Sequence, residues 1–345
     1  MELKTTEWEW LSLIMQGHAA FQLMASGIEL KIFDHLEQRP MNLEEIQRTL
    51  NIAESPAKIL MTGLTCLRLT EINNDGIYRN TPAASKYLNS KSEASVVDIM
   101  GWQKHIVYPG IVQSTECMLQ NKNLGLEIFP GTEPHLYQRI AKNQFLSSVF
   151  QKAMSSLSRS THNELLNNLD LAGTKHFVDA GGGDGTNCMA VAKKFTDIPK
   201  LTVFDQGAIC KIASEKITQN SLQNRIHTWP GDLFETAFPE GMDTLLLSHM
   251  LTIWSPEQNI VLLKKAYAAL PKNGKLIVFN MAVENDQSGP FSSALGSLYF
   301  LCIATGAGRL YTWKEFDHFI DAAGFKSVQS KRLGQAHGMW VAQKS

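Results

Sequence analysis

The chain has 345 residues, of which 44% are hydrophobic and 19% charged, with a formal net charge of -1. That is enough chain for two domains with full cores, and it lacks the overall basic field that general nucleic-acid binding draws on. No apolar run reaches the roughly 18–20 residues of a membrane span, and Met1-Glu2-Leu3-Lys4 leads into no signal-peptide stretch, so a cytoplasmic protein away from membranes is expected. Cys66, Cys117, Cys188, Cys210 and Cys302 are scattered, odd in number and without a C-x-x-C pair. That pattern fits a reducing compartment and argues against a disulfide framework or a zinc site.

The first hundred residues read as helical with one small β element. From Ala25 to Leu36, the residues Ile28, Ile32, Phe33 and Leu36 share one face at helical spacing. Asn42 to Leu50 is a second helix, with Asn42 as N-cap and Glu45 three residues later. Ser55-Pro56 opens a third, Ala57 to Leu69. Glu71-Ile72 and Ile77-Tyr78-Arg79 flank Asn73-Asn74-Asp75-Gly76, a hairpin signal. Three helices and a hairpin make a winged-helix pattern. A helix that reads DNA should expose several Arg, Lys, Asn or Gln. The candidate Pro56–Arg68 carries only Lys58 and Arg68 as charges, so dimerisation is the better reading of this apolar layer.

Residues 101–170 are expected to be helical and to lie before the cofactor domain. Met100, Trp102, His105, Tyr108, Met118, Phe129, Tyr137, Phe145, Phe150 and Met154 fall in or near this stretch. Such residues serve either as core or as the wall of a substrate pocket, and the sequence leaves both open.

From His176 the texture becomes alternating strands and helices. Strands are expected at His176–Asp179, Lys200–Asp205, Ile226–Trp229, Asp243–Ser248 and Lys275–Asn280. The intervening helices run Asn187–Phe195, to about Gln219, and Glu257–Leu270 before Pro271-Lys272-Asn273-Gly274. The fold class is therefore α/β: a doubly wound parallel sheet from about residue 171 to 345, behind a winged-helix-like domain at 1–100.

The chemistry-bearing motif is Asp179-Ala180-Gly181-Gly182-Gly183-Asp184-Gly185-Thr186, between the first strand and its helix. Glycines there let the backbone turn sharply and approach a ligand beside a helix N-terminus. Asp205 ends the next strand, where a carboxylate can accept both hydroxyl hydrogens of a ribose. Gly231-Asp232-Leu233-Phe234 follows the third strand; Asp232 can take an adenine amino group, with Leu233 and Phe234 against the ring. The bland alternative, in which Asp205 and Asp232 only cap helices, explains poorly three elements in register on consecutive strands.

With these residues in view the chain resembles the caffeic acid and acetylserotonin O-methyltransferase family over nearly its whole length. Phe177–Gly185, Thr202–Asp205, Pro230–Phe234, Thr312–Phe316 and Ala322–Phe325 carry the resemblance. It implies S-adenosylmethionine as cofactor, held by Asp179, Gly181, Gly183, Asp205, Gly231, Asp232, Leu233, Phe234 and Ser248. It also implies a homodimer and a small aromatic or conjugated substrate of natural-product metabolism. Phe150, Met154 and Asn280 would line the substrate pocket.

The family pattern breaks at its catalytic positions. Aligning on Trp254-Ser255-Pro256-Glu257 puts Thr252 and Ile253 where the family has His-Asp, and Asn280 and Leu310 where it has glutamates. A general base adds about 10²–10⁴-fold for a phenol whose pKa is near 10, and neither threonine nor leucine can supply one. The nucleophile is then acidic, nitrogen or carbon, or another residue is the base. Thr252 and His249 are the catalytic candidates. His249 falls where acetylserotonin-type relatives place a cofactor-touching arginine, so base, cofactor contact and packed structural histidine all stay open. His105 and His337 have no motif behind them, and no metal is assigned. Two rival functions remain: the same fold repurposed for cyclisation, decarboxylation or hydroxylation, and a ligand-sensing transcription factor.

Overall fold

The computed structural model describes residues 6–334 and 336–345. It divides into two compact units, Met1–Lys104 and His105–Ser345.

In the first unit the helical face expected over Ala25–Leu36 is split into Gly17–Glu29 and Ile32–Gln38, with Lys31 left-handed between them at φ 57°. Ile32, Phe33 and Leu36 still point into the core, with Met41, Ile46, Met61 and Leu64. The helix Leu43–Leu50 starts as its residues dictate: the Asn42 side chain accepts from the Glu45 N–H, and Glu45 answers to the Asn42 N–H. The helix Glu54–Cys66 follows. Strands β2 (Thr70–Ile72) and β3 (Ile77–Asn80) pair antiparallel, and β3 also pairs with the two-residue β1 (Met41–Asn42). Leu11, Ile14 and Met15 on the first helix, Glu7–Met15, are exposed together with Trp8 and Trp10.

The second unit holds a seven-stranded sheet in the order β6-β5-β4-β7-β8-β10-β9. The strands are β4 (His176–Ala180), β5 (Lys200–Asp205), β6 (Ile226–Pro230), β7 (Thr244–Ser248), β8 (Lys275–Met281), β9 (Lys326–Leu333) and β10 (His337–Gln343). β4 to β8 are parallel, and β10 runs antiparallel to both β8 and β9. Successive side chains alternate between the faces. Leu245 and Leu247 join one core with Val178, Val278 and Trp340, while Leu246 joins the other with Phe177, Ile277 and Phe279. A sheet covered on both faces accounts for the near-continuous apolar runs. The order reverses at β4, so the carboxyl ends of β4, β5 and β7 border the crevice where such sheets take ligands.

Candidate active site

The loop after β4 is shaped by three left-handed glycines, Gly181, Gly183 and Gly185, at φ 72°, 57° and 81°. At Gly181 a side chain is doubly excluded, since a Cβ would also lie 2.2 Å from Met250 Sδ. The Gly181 N–H donates to the Phe204 carbonyl at 2.8 Å, tying the loop to β5. Gly183 N–H donates to Asp205 Oδ2 at 2.8 Å, and Gln206 N–H to Oδ1 at 2.7 Å. Burial nonetheless lifts the Asp205 carboxyl above its usual range.

Asp184 is the structural acid of the loop. Although burial opposes its ionisation, Lys216, Ser155 and Thr186 all bond its carboxylate and hold its pKa below the usual value. Asp179 has no such support. It is fully buried, and neither carboxyl oxygen accepts a hydrogen bond. Burial first, then the charges of Asp205 and Asp184, push its pKa up to about 7. An orphaned buried carboxylate beside a glycine loop fits a ligand with a cationic end.

Beyond β6, Gly231 N–H donates to the Asp205 carbonyl at 3.0 Å, so the two loops meet. Asp232 Oδ1 accepts from the N–H groups of Phe234 at 2.8 Å and Glu235 at 3.3 Å. This exposed aspartate thus caps its own turn, and the bland reading accounts for one of its oxygens. Lys265 fastens the turn by donating to the Leu233 and Thr236 carbonyls, each at 2.7 Å. Leu233 is buried, and Phe234 meets Trp254 edge to face at 4.8 Å.

Ser248 closes β7 and lies 3.2 Å from His249 Nδ1. His249 Nε2 is 3.0 Å from His337 Nε2. Thr252 and Asn280 are buried and meet, hydroxyl to amide oxygen, at 3.5 Å, while Asn280 Nδ2 has no partner. Thr305 Oγ1 donates to the Ile253 carbonyl at 2.5 Å, and Gly308 packs so closely on the Thr252–Ile253 backbone that a Cβ would lie 2.2 Å from the Thr252 carbonyl. Leu310 is buried nearby in sequence, its N–H donating to the Ser297 hydroxyl.

Phe150 and Met154 are half-buried one turn apart on the helix Gln144–Leu166. Phe150 meets Tyr137 edge to face at 5.6 Å. Burial pushes the Tyr137 phenol up to about 12, against a hydrogen bond with Tyr299. The Tyr137 phenol therefore stays neutral.

No sequence pattern singled out His135. Its ring stands edge-on to Trp254 at 5.7 Å. Its buried Nδ1 has no well-formed hydrogen bond, and the Pro134 carbonyl beside it already accepts from Asn123 Nδ2 at 3.0 Å. Burial lowers its pKa, so the imidazole is neutral at neutral pH. The partner that marks it, Trp254, is remote in sequence, so only the fold reveals the pair. Other histidines are placed elsewhere: His176 bonds Thr202 at the amino end of β4, and His227 and His318 are exposed. Among the described residues no cluster of three or more His, Cys, Asp or Glu could hold a metal ion.

A parallel α/β sheet with a glycine loop after its first strand, acids ending the next two and an appended antiparallel pair is the Rossmann-like methyltransferase fold. Residues 116–326 match the model of the O-methyltransferase domain and residues 12–90 that of the O-methyltransferase dimerisation domain. The chain belongs to this family and is an S-adenosylmethionine-dependent methyltransferase. It is 32% identical over 341 residues to an L-tyrosine C(3)-methyltransferase of Streptomyces lavendulae, covering 97% of this chain and 93% of that one. It is 29% identical to a 3-hydroxy-5-methyl-1-naphthoate 3-O-methyltransferase of Streptomyces sahachiroi, covering 94% and 92%. The apo structure of the S-adenosylmethionine-dependent methyltransferase SibL superposes with a TM-score of 0.83 at 31% identity, covering 98% of this chain and 99% of that one. Human N-acetylserotonin methyltransferase in complex with the cofactor shares the fold, with a TM-score of 0.88 at 22% identity over the whole of both chains.

Proposed function

We propose that this enzyme methylates a small phenol of natural-product metabolism at a ring carbon beside the hydroxyl. The observation that carries this reading is the pair Thr252 and Asn280, 3.5 Å apart where the sequence alignment expects a base, with no group there able to take a proton. The relative named for C(3)-methylation of L-tyrosine supports it.

The cofactor supplies a methyl group on a cationic sulfur. In this reading Asp179 faces its cationic amino-acid end, with Gly181, Gly183 and Ser248 around it. Asp205 takes the ribose hydroxyls, and Asp232 the adenine amino group, with Gly231, Leu233 and Phe234 beside the ring. Phe150, Met154, Tyr137 and Tyr299 wall the phenol, and Asn280 Nδ2 donates to it. The phenolic proton leaves to solvent, since neither Thr252 nor Asn280 can take it. The negative charge would then delocalise onto the adjacent ring carbon, to which the cofactor would supply its methyl, the S–C electron pair staying on sulfur as the C–C bond forms. Loss of the proton on that carbon to solvent would restore the aromatic ring as a phenolate, which would take one proton back from solvent to regain its hydroxyl. Thr252 orients the acceptor rather than activating it.

The first unit forms the interface of a homodimer in this account, with exposed Trp8, Trp10, Ile14 and Met15 as the apolar face to be covered. We place the enzyme in the cytoplasm, on the grounds of its unpaired cysteines; no helix of the described residues is long and apolar enough to cross a membrane. Ring-deuterated phenolic amino acids test the reaction. Carbon methylation expels one deuterium per methyl gained, whereas a product that keeps every ring deuterium has been methylated elsewhere.

A further inference from the structure

Two half-buried histidines with no part in these proton transfers face one another at the carboxyl end of β7. His249 Nε2 and His337 Nε2 are 3.0 Å apart, so one carries a proton and the other is bare. Their neighbours decide which. His337 Nδ1 faces Glu164 Oε2 at 3.4 Å, and a carboxylate there favours an N–H on Nδ1. His337 Nε2 is then the acceptor and His249 Nε2–H the donor. His249 Nδ1, in turn, accepts from the Ser248 hydroxyl at 3.2 Å. Phe279 stacks on His337 at 4.9 Å and meets His249 edge to face at 5.3 Å, fixing both rings.

The backbone shows what this arrangement holds. His249 is left-handed at φ 57°, a conformation that residues with a Cβ rarely adopt without compensation. Its N–H donates to the Phe279 carbonyl at 2.8 Å. The next residue, Met250, packs directly on Gly181 of the cofactor loop, and Thr252 follows two residues later.

We propose that Ser248, His249 and His337 form one hydrogen-bonded relay, its tautomers fixed by the Glu164 carboxylate that faces its end, and that this relay holds the left-handed turn after β7 and so keeps Met250 against the cofactor loop. The inference rests on the cofactor reading of that loop. His249 and His337 are positioning residues, and neither is the base. The titratable groups facing the pair are Glu164, from the helix Gln144–Leu166, and each other. Burial holds His249 down at about 3 and His337 at about 4, so both rings are neutral at ordinary assay pH.

Long-range proton–nitrogen spectra of the full-length protein, labelled with ¹⁵N-histidine, read the tautomers directly. The relay gives Nε2–H at His249 and Nδ1–H at His337, with neither ring titrating between about pH 5.5 and 8. The same tautomer at both residues, or a midpoint near the ordinary imidazole value, overturns it. Variants read its purpose. His337→Gln can still accept from His249, whereas His337→Leu cannot. His337→Leu should raise the KM for S-adenosylmethionine about tenfold with kcat at saturation within about twofold of wild type. His337→Gln should restore most of the affinity. An unchanged cofactor KM in the leucine variant, or an equal loss in both, contradicts the relay. Should the leucine variant not fold, the wild-type and glutamine spectra decide. Failure of the underlying cofactor reading would look different: a Gly181→Ala change would leave the wild-type affinity for S-adenosylhomocysteine intact.

Discussion

The Thr252 hydroxyl and the Asn280 side-chain oxygen face each other at 3.5 Å, both buried, one in the turn that follows β7 and the other near the end of its parallel neighbour β8. Neither titrates near neutral pH, so this pair can orient an acceptor but cannot activate one. Thr252→Ala therefore removes one orienting hydrogen bond, worth about 0.5–1.5 kcal/mol, and should lower kcat by about tenfold at most. Steady-state kinetics at saturating cofactor check this. A loss of about 10²–10⁴-fold, with the fold and cofactor affinity unchanged, would show a residue essential to proton transfer.

Asp179 makes cofactor binding depend on pH. Its pKa of about 7 lies above the usual carboxylate value, so the folded protein without ligand holds a proton that the unfolded chain releases. The linkage has a definite sign: the cost of ionising this buried group enters as pH rises from about 4 towards 7 and is complete above it. A cationic cofactor favours the ionised form, so affinity should rise from pH 6 to pH 8, by about tenfold at most for one titrating group. Calorimetry should show protons released on binding near pH 7. Asp179→Asn should flatten the profile; a profile of unchanged slope in that variant would assign it to another group.

His135→Ala separates two roles that one position could serve. Its contact with Trp254, which meets Phe234 beside the adenine site, makes it an adenine-side residue, so the variant should weaken S-adenosylhomocysteine binding while kcat at saturating cofactor stays within about threefold of wild type. A loss of about 10²–10⁴-fold in kcat with cofactor affinity unchanged would make His135 the base instead.

What the sequence made legible follows from how far apart the deciding residues lie. The capping box of Asn42 and Glu45 is local, and so is the glycine run beside β4, so both can be read from neighbours. The inner strands β5, β7 and β8 announce themselves because burial on both faces demands near-continuous apolar runs, whereas the edge strand β6 is largely exposed. The break at Lys31 escaped notice because Ile28 and Ile32 keep helical spacing across it. The pair β9 and β10 has no comparable signature: the strand pairings that define it, such as Trp340 with Val278, join distant segments. The same limit applies to the site. Asp205, at a strand end, is conspicuous, but the contacts of His135 with Trp254 and of His249 with His337 exist only once the chain has folded.

The most direct test is where the methyl group lands. The full-length enzyme is to be incubated with L-tyrosine and related simple phenols, using S-adenosylmethionine carrying ¹³C in its methyl group, and the product read by carbon NMR. Carbon methylation gives a labelled methyl in the aryl-methyl region, coupled to an adjacent ring carbon in a ¹³C-labelled substrate, with the phenolic hydroxyl still free. A labelled methyl in the methoxy region, or on nitrogen, would contradict the proposal and return the enzyme to the more usual chemistry of its family.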